Sequence, residues 1–90
     1  MEKITFTLMN AEGLHARPAS LMTKVVKSFK SDIVFYKNNE EKRTFQAKSI
    51  LSVMASGSFK GDQLTFIAEG EDEKAAIEAI AEFVQNGCGE

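Results

Sequence analysis

The chain has 90 residues, 43% of them hydrophobic and 27% charged, with 11 basic side chains against 13 acidic and a net charge of −2. This is the make-up of one globular domain around a single core, read as residues 1–90, and its slight acidity disfavours nucleic-acid binding held by bulk charge. The longest apolar run, Ile33 to Tyr36, falls far short of the ~20 residues of a bilayer span; no secretory leader opens the chain, and a lone Cys88 fits a reducing cytoplasm.

Ile4, Phe6 and Leu8 alternate with Thr5 and Thr7, so residues 3–9 read as a half-buried strand. Residues 10–13 break the alternation as a loop. From residue 16 to 29 the apolar positions Ala19, Met22, Val25, Val26 and Phe29 fall at helical spacing, with Lys24, Lys27 and Lys30 on the other side. Residues 32–36 form a second strand, Asn38-Asn39 a turn, and residues 43–47 the returning partner of a hairpin. Ser49 starts a short helix carrying Ile50, Leu51, Val53 and Met54, which Gly57 ends. Gly61-Asp62 turns into a strand over residues 63–69. The last helix runs over residues 72–86, capped by Asp72, with Ala76, Ile77, Ile80, Phe83 and Val84 as its buried stripe and Gly87 as its stop. The order βαββαβα, with single apolar faces throughout, predicts an α+β sandwich: a four-stranded antiparallel sheet with three helices on one face.

Charge is unevenly spread. Residues 1–60 carry ten basic and five acidic side chains, and residues 61–90 one basic and eight acidic. The imbalance suits docking of the basic part on an acidic partner surface, and equally the solvated acidic face of a C-terminal helix.

Residues 13–20, Gly-Leu-His-Ala-Arg-Pro-Ala-Ser, hold the only histidine and the only proline. Proline is accommodated in a helix's first turn, where its missing N–H had no partner anyway. Pro18 therefore places the helix start near His15 or Ala16. The amides of Ala16 and Arg17 then point outward from the helix start and favour an anion. Arg17 adds a positive fork. A neutral imidazole is a competent nucleophile near pH 7, and the helix start opposes a positive ring. These parts suit phosphoryl transfer, which rests on in-line positioning and charge stabilisation. An ordinary surface histidine at a helix cap is the competing interpretation. With one histidine and an isolated Cys88, no metal site is expected, and no cofactor is implied.

The motif Gly13-Leu14-His15-Ala16-Arg17-Pro18-Ala19, together with Ala47-Lys48-Ser49-Ile50-Leu51-Ser52-Val53-Met54, Gly61 and Gly70-Glu71-Asp72-Glu73, resembles the HPr phosphocarrier family of the bacterial phosphoenolpyruvate:sugar phosphotransferase system, over the whole chain. The resemblance implies an open-faced β-sandwich and a carrier rather than an enzyme. It implies that His15 accepts a phosphoryl group on Nδ1 from phosphorylated enzyme I and passes it to the A components of sugar permeases, with Arg17 steadying the site. Ser49 matches the regulatory serine of the family's Gram-positive members. There HPr kinase/phosphorylase modifies it, and the product acts as corepressor for a catabolite-control transcription factor. Ser49 as a plain N-cap is the alternative. Ile50, Leu51 and Met54 cannot all point inward from so short a helix, so part is expected as a docking surface rimmed by Lys24, Lys27 and Lys48. A cytoplasmic monomer with no nucleic-acid partner and no direct membrane insertion is expected.

Two departures from the family pattern stand out. Glu12 occupies a position where members often carry a small hydroxyl or amide residue, and the hairpin over residues 37–43 is longer than usual. Cys88 reads as a tail thiol. Alternative functions are a regulatory interaction module working through Ser49, a carrier in a nitrogen-related phosphotransfer chain, and a plain binding domain without chemistry.

Overall fold

A computed structural model describes residues 1–89. Four strands, β1 (Glu2–Thr7), β2 (Asp32–Lys37), β3 (Phe45–Gln46) and β4 (Gln63–Glu69), and three helices, α1 (Ala16–Lys27), α2 (Ile50–Ala55) and α3 (Glu73–Gln85), follow the predicted βαββαβα order. The strands form one antiparallel sheet in the order β1-β4-β2-β3. The last strand in the chain is thus an interior one, flanked by Ile4 opposite Phe66 and by Phe35 opposite Phe66.

Alternation sorts the side chains. The helix-covered face of the sheet carries Ile33, Phe35, Leu64, Phe66 and Ala68, all fully buried. The opposite face mixes Thr5 and Thr65, whose hydroxyls bond at 2.9 Å, with Val34, Tyr36 and Ile67. Aromatic rings run across the inner face: Phe6 stacks on Phe66 at 5.7 Å, Phe66 on Phe35 at 4.8 Å, and Phe35 tilts against Phe45 at 5.4 Å. Offset stacking of this kind adds to the area the rings remove from water. Met22 and Val26 of α1, Val53 of α2, and Ala76 and Ile80 of α3 close the core from the helical layer.

Several boundaries differ from expectation. Helix α1 ends at Lys27, not residue 29, because the Phe29 amide turns back to the Val26 carbonyl at 3.2 Å. Strand β3 is two residues long, not five. Asn38 and Asn39 both adopt positive φ, at 53° and 64°, and the amides of Glu40, Glu41 and Arg43 are spent on local turns, so the ladder resumes only at Phe45. Asp72 stands at the N-cap of α3, yet its carboxylate does not cap the helix. It accepts instead from the Lys30 and Ser31 amides, at 2.8 and 2.9 Å, and from the Ser31 hydroxyl, clamping the approach to β2. Cys88 is buried rather than a tail thiol, in a turn over Gly87–Gly89 where it takes φ 56°. No helix among the described residues is long and apolar enough to cross a membrane.

Candidate functional site

The site is built where β1 hands over to α1. Beyond β1 the chain is tied to the turn after α2: the Leu8 amide donates to Asp62 O and the Gly61 amide to Leu8 O, both at 2.8 Å. Residues 10–13 then close a turn through Gly13 N to Asn10 O at 3.0 Å, and the Leu14 amide donates to Ser58 O at 3.0 Å. Gly13 takes φ 66°, and a Cβ there would lie 2.2 Å from Ser58 O. Only glycine meets both demands.

That anchoring delivers His15 to the N-cap of α1 in extended backbone geometry, with its carbonyl accepting from Ala19 N at 3.0 Å. Its ring makes no capping bond to the helix and its side chain is 34% exposed, so the imidazole is neither sealed in the core nor fully solvated. Pro18 sits in the first turn of α1, as expected, and is buried. It contributes no N–H, so the first-turn amides offered to an anion are those of Ala16 and Arg17. The Arg17 side chain is exposed. It shares one face of α1 with Lys24 and Lys27, opposite the buried Ala19, Met22 and Val26.

The brace beneath this loop had no signal in residue spacing. The Ser56 hydroxyl donates to Val53 O at 2.6 Å and bonds the Ser58 hydroxyl at 2.7 Å, both groups being buried. The Asp62 carboxylate accepts from the Phe59 amide at 2.8 Å and from Asn38 Nδ2 at 3.2 Å. The Phe59 amide first, and Asn38 after it, hold this carboxyl below the usual carboxylate range. The segment that receives the Leu14 amide is therefore itself fixed at both ends.

Ser49 is the N-cap of α2, its Oγ accepting from Ser52 N at 3.2 Å. Of the apolar residues that follow, Val53 is buried while Leu51 is 79% exposed, with Ile50 and Met54 also exposed. Helix α2 packs against α1. Lys48 is half-buried, and its Nζ donates to Phe29 O at 2.7 Å just beyond the end of α1. The expected departure at Glu12 is also resolved in direction: its Oε2 lies 3.8 Å from His15 Nε2.

An open-faced α+β sandwich that presents a single half-exposed histidine at a helix N-cap defines a class of small histidine-bearing carrier domains. The family described as "PTS HPr component phosphorylation site" matches residues 2–86, and the chain belongs to this HPr phosphocarrier family of the phosphotransferase system. It is 43% identical over 86 residues to the multiphosphoryl transfer protein of Haemophilus influenzae, covering 96% of this chain and 17% of that protein. The chain spans about a fifth of the length of the curated relatives it matches. Among solved structures it is similar to HPr-C-His from Thermoanaerobacter tengcongensis, with a TM-score of 0.91 at 37% identity, covering 100% of this chain and 98% of that one. It is likewise similar to the histidine-containing phosphocarrier protein of Mycoplasma, with a TM-score of 0.87 at 33% identity over 97% of each chain.

Proposed function

We propose that His15 is the phosphoryl acceptor of this chain, receiving the group on Nδ1 from phosphorylated enzyme I and passing it to the A components of sugar permeases. The observation that carries this reading is the half-exposed ring at the N-cap of α1, beside the Ala16 and Arg17 amides. An attacking nitrogen needs access, and the phosphoryl group that arrives needs donors. The Ala16 and Arg17 amides and the exposed Arg17 guanidinium supply them without reorganising the fold. Lys24 and Lys27 on the same helix face, with exposed Ile50, Leu51 and Met54 on α2, form a docking surface of basic and apolar character. It suits partners with an acidic rim and an apolar centre. Residues 1–90 act as one carrier unit in the cytoplasm, as a monomer and without cofactor or metal.

Ser49 is the regulatory position in this reading. A phosphate on its Oγ would sit at the start of α2, where an anion is tolerated, while adding about −2 charge beside Ile50, Leu51 and Met54. That charge would weaken docking of acidic partners. The serine-modified form would be the one read by a catabolite-control transcription factor.

Incubation with enzyme I, Mg²⁺ and labelled phosphoenolpyruvate tests the central reading. The expected outcome is an acid-labile, alkali-stable label that is lost in His15→Ala. A label that survives in His15→Ala, or no label on the parent chain, overturns it.

A further inference from the structure

Glu12 brings a carboxylate to the imidazole, with Oε2 3.8 Å from His15 Nε2. Its backbone is not loose. The turn over residues 10–13 closes through Gly13 N to Asn10 O, and the Leu14 amide is fixed to Ser58 O, so the register between Glu12 and His15 is set by the fold. The contact falls on one edge of the ring, at Nε2.

An ionised carboxylate only accepts hydrogen bonds. What it favours at a ring nitrogen is therefore a proton. A neutral imidazole has one N–H to place on two nitrogens, and the partner of one nitrogen decides the state of the other. With the proton held on Nε2, the in-plane lone pair belongs to Nδ1. We propose that Glu12 is a positioning residue that holds the His15 proton on Nε2 and so makes Nδ1 the attacking nitrogen. This rests on His15 being the phosphoryl acceptor.

The transfer balances without a base. The Nδ1 lone pair forms the N–P bond while the donor's bond to phosphorus breaks, its electron pair leaving with the donor. The proton on Nε2 stays where it is throughout. The ring gains positive character as the bond forms, and the Glu12 carboxylate faces the protonated edge rather than the edge that receives phosphorus. The 3.8 Å separation is longer than a hydrogen bond. In this proposal the Glu12 side chain, 79% exposed, closes the gap by a change of rotamer.

The chain has one histidine, so long-range ¹H–¹⁵N correlation of the ¹⁵N-labelled protein, at a pH where the ring is neutral, reads its tautomers without ambiguity. The Nε2-protonated form is expected to dominate in the parent chain. Glu12→Ala is expected to lower the ratio of Nε2- to Nδ1-protonated forms by about two- to five-fold, the size of effect one solvent-exposed hydrogen bond supplies. Glu12→Gln, whose side-chain oxygen still accepts, is expected to keep most of the preference. The rate of phosphorylation by enzyme I should fall with the tautomer ratio across the three proteins. An unchanged ratio in Glu12→Ala, or faster phosphorylation of that variant, overturns the assignment. If the parent chain labels on His15 but the ratio does not respond to residue 12, the inference fails while the carrier reading stands. If the parent chain takes no label, both fall.

Discussion

Gly13 meets two constraints with one atom missing. Its φ of 66° is a left-handed value, and the Ser58 carbonyl occupies the place of any Cβ. Gly13→Ala is expected to destabilise the fold by about 2 kcal/mol or more, from backbone strain and the forced retreat of residues 58 and 59. A urea titration should show this as a lower midpoint at unchanged slope, accompanied by slower labelling of His15 because the loop that sets the N-cap is displaced. At this scale the site was partly legible. Pro18 fixed where α1 had to begin, and that placed His15 at the cap. The direction of Glu12 was not legible, because spacing along a loop does not say where a side chain lies once a left-handed residue intervenes. The hydroxyl pair of Ser56 and Ser58 was hidden for a similar reason: two buried serines look like loop polarity until the chain folds over them.

Between elements, Asp72 shows how a correct residue type can serve a different bond. Its place at the start of α3 was foreseeable from the acidic cluster before an apolar stripe, but its carboxylate reaches across to residues 30 and 31 instead of its own helix. The Ser31 hydroxyl first, then the Lys30 amide, hold its carboxyl down to about 2. A carboxyl depressed in the folded chain stabilises it above the unfolded pKa of about 4 and loses that contribution as pH falls through the folded value. Acid unfolding is therefore expected to include a loss of stability between about pH 4 and pH 2, and Asp72→Asn should be less stable at neutral pH but lose less across that interval. Circular dichroism melts at stepped pH measure both. The strand β4 was fully legible, because Leu64, Phe66 and Ala68 recur at every second residue after the Gly61-Asp62 turn and before Gly70. The strand β3 is shorter than the residue pattern suggests, because nothing local distinguishes a long ladder from a turn-rich return that begins with asparagines at positive φ.

Across the whole molecule, the aromatic row Phe6, Phe66, Phe35 and Phe45 is the continuous contact through the sheet. Phe66 lies at its centre and is fully buried. Phe66→Ala is expected to cost about 3–5 kcal/mol, a large share of the ~5–15 kcal/mol of a domain of this kind. Thermal unfolding followed by near-UV and far-UV signals checks it. The strand order carries a further consequence for how the chain comes into being. β1 and β2 do not pair with each other; each waits for β4. A nascent chain that has emerged only to residue 62 can close the short β2–β3 pair but holds its first strand without any neighbour. Collapse into the sheet must therefore await the release of residues 63–69 from the ribosome, which places this domain among those that assemble through distant contacts and not segment by segment.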